Sequence, residues 1–176
     1  MLALLLVSFL WAFSFGLIKT SLSGVDSNLV GFIRLFLSFL VFLPFLRLRG
    51  LPRGLALPLV LTGLVQYGLM YVAYLYAFRF LKSYEVALFT IFTPLYVTLI
   101  HNALTRQVYR LYLFTTLLTI LGAGIVQGVG VLRSDMLTGF FIVQLSNLFF
   151  AAGQVYYRQV MAQHPQLPDQ RVFGLL

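Results

Sequence analysis

The chain has 176 residues, of which 61% are hydrophobic and 9% charged, with no cysteine and a formal net charge of +8. So few polar residues cannot cover a soluble domain of this length, so most helix surface must meet lipid or another helix. The lack of cysteine excludes disulfide and thiolate chemistry. The basic residues lie between apolar stretches rather than on one soluble face, which argues against nucleic acid as a partner.

Six strongly apolar stretches follow one another: Leu2 to Ile18, Ser27 to Leu46, Gly54 to Phe78, Val86 to Thr105, Leu111 to Leu132, and Met136 to Tyr157. A helix crosses the hydrocarbon in about 20 residues and a barrel strand in about 10, so stretches of this length predict helices. The expected fold class is all-α, a polytopic membrane helical bundle whose main partner is the lipid bilayer. The first stretch has no basic region before Leu2 and is followed by TSLSG rather than a cleavage site, so it reads as a span and not a signal peptide. The connectors SLSGVDSN, RGLPRG, TRQVYR and RSD are short and turn-like, and leave no room for a soluble domain. After Met161 the tail is polar and proline-bearing, and the closing VFGLL is too short to cross. With the N-terminus cytoplasmic, Arg47, Arg49, Arg53, Arg106, Arg110, Arg158 and Arg171 lie inside, against Lys19, Arg79, Lys82 and Arg133 outside. That excess of inner basic residues sets the expected orientation.

Within the spans, the residues that could carry function fall in chain order. Ala12 and Gly16 form a small-x-x-x-small pair in the first span, suited to close helix packing. Arg34 lies about seven residues into the second span, roughly 10 Å from its end. An arginine there needs a cavity or a partner. It either meets the carboxylate of an anionic solute through bidentate hydrogen bonds or snorkels to carbonyls and the interface. In the third span Tyr67, Tyr71, Tyr74 and Phe78 recur at helical spacing, with Gln66 beside them. Such a face either lines a pathway for a flat ring or packs against helices, while its hydroxyls seek partners.

The fourth span opens with Tyr84 and Glu85 and contains Pro94, whose missing N–H allows a kink and hence a hinge. Glu85, at the boundary near Lys82, is expected in a surface ion pair, the alternative being a buried proton-coupling carboxylate. Thr90, Pro94 and His101 share a face, with His101 expected at the interface. Gly124 and Gly128 in the fifth span form G-x-x-x-G, whose partner helix belongs to this chain or to a second copy. In the sixth span Gln144, Asn147, Ala151, Gln154 and Arg158 share one face, where the amides either bind neighbouring helices or serve a solute.

No HExxH, GxSxG or paired-aspartate motif appears, and the acids are scattered, so an enzyme, a metal site and a cofactor are not expected. A non-transporting assembly protein would not need polar faces on two spans and an arginine in a third.

The strings LWAFSFGLIK (Leu10 to Lys19), VGFIRLFLSFLVFLPFLR (Val30 to Arg47), AYLYAFRFLKSYEVALFTIFTPLYVTLI (Ala73 to Ile100) and LGAGIV (Leu121 to Val126) resemble the drug/metabolite transporter superfamily, built of EamA-type repeats. WAFSF, VDS, VFLPFLR, TPLY and VQLSN are most similar to its single-component bacterial biotin importers. The resemblance implies two inverted five-helix repeats, the first over residues 1–132 and the start of a second over 136–176, with six spans present of an expected ten. On that count the chain looks truncated and is expected not to transport alone. It also implies secondary transport of a small metabolite, biotin uptake across the inner membrane by alternating access, with export of amino acids or other metabolites as the alternative. Arg34 would then anchor the carboxylate, Tyr67, Tyr71 and Tyr74 hold the rings, and Asn147 and Gln144 serve the polar head. A half-carrier that forms a homodimer of oppositely inserted copies would also account for the length, but the three arginines of RLRGLPR oppose it.

Overall fold

The computed structural model describes residues 2–21, 24–47, 51–52, 54–127 and 134–176. The described parts of the six apolar stretches are helical except at their ends, and among the described residues there is no strand. The helices are α1 (Leu2–Ser21), α2 (Ser27–Phe42), α3 (Ala56–Gly63), α4 (Met70–Ala77), α5 (Ser83–Phe89), α6 (Thr93–Thr105), α7 (Arg110–Gln127), α8 (Ser134–Ala162) and α9 (Asp169–Val172). Three continuous helical runs are long and apolar enough to cross a membrane: Ala56–Ala77, Ser83–Thr105 and Asp135–Ala162. Leu4–Ser14, Leu29–Phe45 and Arg110–Gly122 are shorter apolar helices. The protein is a multi-pass helical membrane protein.

Local chemistry sets the helix ends. Gly24 adopts φ 106°, a left-handed conformation that glycine takes without a Cβ clash. Asp26 then caps α2, its carboxylate accepting the Leu29 N–H at 3.1 Å. Glu85 caps the fourth span in the reciprocal sense, reaching back from the first turn of α5 to the residue before it. It is 3% exposed, and its Oε2 accepts the main-chain N–H of Lys82 at 2.7 Å. The expected surface position for Glu85 is therefore corrected, because the first turn of α5 draws the carboxylate inward to satisfy a backbone donor.

Two spans are broken. The third passes from α3 through a π-helical turn, Leu64–Leu69, into α4. The fourth passes from α5 through a 3₁₀ turn, Thr90–Phe92, into α6, with Pro94 in the first turn beyond the break. A proline has no N–H to donate and is tolerated there, so break and proline are one event.

Helix α8 is the axis of the bundle, packing on α3, the π turn and α4 of the third span and on α5 and α6 of the fourth. Close approach depends on glycine. A Cβ at Gly139 would overlap Leu81, and one at Gly153 would overlap the Gln66 side chain. One buried cluster joins Ala77, Leu81, Val86, Met136 and Val143. Another joins Leu55, Leu59, Leu167 and Val172, where the tail folds back under the bundle. Tyr157 donates to Asp169 Oδ1 at 2.6 Å and the Arg171 Nε–H to the Arg47 carbonyl at 3.1 Å, which fasten that tail.

Helices α1 and α7 lie at the margins, with Phe9 71% and Ile125 82% exposed. These apolar faces are what a bilayer solvates. Ala12 is exposed, and nothing lies within 4 Å of a Cβ built at Gly124, so neither makes a close approach to described residues of this chain. The surroundings of Gly16, and Gly128 altogether, lie outside the described residues.

Candidate functional site

A cavity of about 220 Å³ opens among α1, α2, the two broken spans and α8. Five of the sequence-derived candidates line it: Arg34, Tyr67, Tyr71, Tyr74 and Asn147. Arg34 is half-buried, its guanidinium carbon 5.5 Å from the centre of the Tyr71 ring, a cation–π distance that steadies the charge away from water. Tyr71 and Tyr74 meet edge to face at 6.1 Å, and Tyr74 and Phe78 at 5.3 Å. The π turn holds Tyr67, and Gln66 Nε2 donates to its hydroxyl at 3.4 Å. Arg34, Tyr67 and Tyr71 also border a second, larger groove of about 850 Å³ between α2, the third span and the tail.

The break in the fourth span is bound by α8. In an unbroken α-helix the Thr93 N–H would reach the Phe89 carbonyl; here it bonds Thr90 instead. The Phe89 carbonyl accepts Asn147 Nδ2 at 2.9 Å and Gln144 Nε2 at 3.4 Å. Asn147 Nδ2 also donates to Gln144 Oε1 at 3.2 Å, and the Thr93 hydroxyl donates to Asn147 Oδ1 at 3.1 Å. Both amides are buried, Gln144 8% and Asn147 3% exposed. Gln144 is not on the cavity wall. It stands behind Asn147, supporting it.

Along the rest of that α8 face, Ala151 is buried, Gln154 half-buried and Arg158 exposed. His101 is exposed and lies against Tyr109, 5.7 Å between ring centres, away from the cavity. Pro94 is exposed, with Thr90 facing the cavity a turn earlier.

Seven further residues complete the wall: Trp11, Ser14, Met70, Thr90, Thr93, Ser146 and Phe150. Sequence reasoning places Thr90 on a helix face and assigns no site role to the other six. Their signal was present, because WAFSF contains Trp11 and Ser14, TPLY contains Thr93, and VQLSN contains Ser146.

These features define a membrane protein whose helices enclose a small cavity with one cation, an aromatic face and a row of hydroxyls. The chain belongs to the EamA-like transporter family, whose profile matches residues 1–127. Over 97% of its length it is 40% identical to a probable biotin transporter of Pseudomonas aeruginosa, covering 60% of that protein. It is 41% identical to a biotin transporter of Salmonella typhimurium and 40% identical to one of Escherichia coli, covering 57% of each. The chain thus spans 57 to 60% of the curated relatives it matches. No solved structure matches it.

Proposed function

We propose that the chain works in a secondary carrier that takes up biotin across the bacterial inner membrane by alternating access, and not in an enzyme. The observation that carries this reading is the meeting of Arg34, three tyrosines and a hydroxyl-bearing wall in one cavity, in a chain whose relatives are named biotin transporters. Arg34 takes the carboxylate, Tyr67, Tyr71 and Tyr74 flank the rings, and Asn147, backed by Gln144, shapes the end where the polar head lies. Pro94 and the 3₁₀ turn before it act as the hinge. Residues 1–132 act as one five-helix unit and 136–176 begin a second, inverted one. The exposed faces at Ala12 and Gly124 take helices from beyond this chain's own contacts, a second copy among the options.

The test places this chain in the Escherichia coli biotin transporter in exchange for the matching segment and measures labelled-biotin uptake in a biotin-requiring host. Uptake is expected, and Arg34→Ala lowers it by about tenfold or more, the scale of a lost charge-assisted hydrogen bond. Unchanged uptake in Arg34→Ala would remove the anchor role. No uptake by the unaltered chimera, with efflux of another solute, would remove the substrate. The N-terminus is assigned to the cytoplasm. Because the chain lacks cysteine, Arg47→Cys should react with an impermeant maleimide only in inside-out vesicles.

A further inference from the structure

The three hydroxyls that the fourth and sixth spans present to the cavity, on Thr90, Thr93 and Ser146, are turned the same way electrically. A hydroxyl has one proton to give and two lone pairs to offer. Thr90 Oγ1 lies 2.6 Å from the Ala87 carbonyl and Ser146 Oγ 3.1 Å from the Met70 carbonyl. A carbonyl only accepts, so both hydroxyls must donate there. The Thr93 hydroxyl faces Asn147, whose orientation is fixed because its Nδ2 must point at the Phe89 carbonyl. Oδ1 therefore faces Thr93, and Thr93 also donates into the protein. Asn147 adds no donor, since both its N–H groups are engaged, by Phe89 and by Gln144. What Thr90, Thr93 and Ser146 have left for the cavity is lone pairs only. The donor groups on its wall lie instead on α1, α2 and the third span: the Trp11 indole N–H, the Ser14 hydroxyl, the Arg34 guanidinium and the tyrosine hydroxyls.

We propose that Thr90, Thr93 and Ser146 form an acceptor wall that selects substrates carrying N–H donors on an apolar ring, the anionic end of the same molecule going to Arg34. The inference rests on the carrier reading and sharpens it: a cyclic urea or lactam with a carboxylate side chain fits, whereas an isostere with methylene in place of N–H leaves buried lone pairs unpaired. Sites built around a hydrogen bond reject such isosteres far more strongly than apolar pockets reject a changed methylene.

Trp11 is the only tryptophan and lines the cavity, so its fluorescence reports binding in the chain itself, in lipid nanodiscs. The probes are biotin and its analogue with both ureido N–H groups replaced by methylene. Biotin is expected to bind at least tenfold more tightly. Ser146→Ala and Thr93→Val should each shrink that ratio severalfold, while Ser146→Thr and Thr93→Ser restore it. Equal binding of the two probes, or binding of neither, overturns the acceptor wall. Chimera uptake is a separate measurement, so loss of transport with the N–H preference intact counts against the carrier and not against the wall.

Discussion

Replacing Asn147 by leucine removes three hydrogen bonds around the break in the fourth span: to the Phe89 carbonyl at 2.9 Å, to Gln144 Oε1 at 3.2 Å and from Thr93 at 3.1 Å. Two of them cross between helices, and such bonds average about 0.6 kcal/mol in membranes, with a maximum near 1.7. The third satisfies Gln144 Oε1, which the substitution would leave buried without that donor, a cost of about 1 kcal/mol or more. The sum is about 2–3 kcal/mol, and leucine fills the space well enough that a cavity contribution is small. Reversible unfolding of the purified chain in mixed micelles, followed by helical circular dichroism, measures it. Combining Asn147→Leu with Thr93→Val in a double-mutant cycle should return a coupling of about 0.6 kcal/mol, because the two share one bond. Unfolding of Asn147→Leu within about 0.3 kcal/mol of the unaltered chain, the error of additive cycles, would refute the view that this amide holds the break.

Four other outcomes follow from the packing. Gly153→Leu forces a side chain into Gln66 and should cost more than about 2 kcal/mol in the same unfolding assay, the scale of overpacking. Gly124→Ala meets open space, so it should be neutral or stabilise the isolated chain by up to about 1 kcal/mol through helix propensity. Glu85→Ala should cost about 1 kcal/mol by uncapping α5, with Glu85→Gln costing less because an acceptor oxygen remains for Lys82 N–H. Tyr157→Phe breaks the 2.6 Å bond to Asp169 and should speed amide exchange over residues 164–176 while leaving α8 itself protected.

Hydropathy was sufficient to place the helices, because a bilayer requires long apolar stretches whose backbone groups are satisfied internally. The cavity residues were legible where chemistry was costly: an arginine and an amide inside apolar runs need a reason to be there, and both reached the wall. Packing by small residues was less so. Of the residues chosen by spacing, Ala12 and Gly124 are exposed, while among the described glycines Gly139 and Gly153 on α8 carry close contacts, since a motif does not say which face meets a neighbour. Glu85 failed for a similar reason, as a helix cap depends on where the first turn starts. The π turn at Leu64–Leu69 was not anticipated from hydropathy, which does not register a change of helical pitch within one apolar run. Thr93 and Ser146 went unread because a threonine or serine in a membrane helix ordinarily bonds its own backbone. Here their partners lie 54 and 76 residues away.

The separation between the broken fourth span and the amides that bind it sets an order of assembly. Phe89 is made 58 residues before Asn147. While the ribosome adds the fifth span, the break stands in or near the membrane without its later ligands, in a solvent that offers a carbonyl nothing in exchange. The fourth span must therefore wait beside the translocon's wet interior, or straighten, until α8 arrives. A helix synthesised later thus licenses the shape of an earlier one, and a ribosome stalled before residue 147 would leave a span free to settle as an ordinary straight helix.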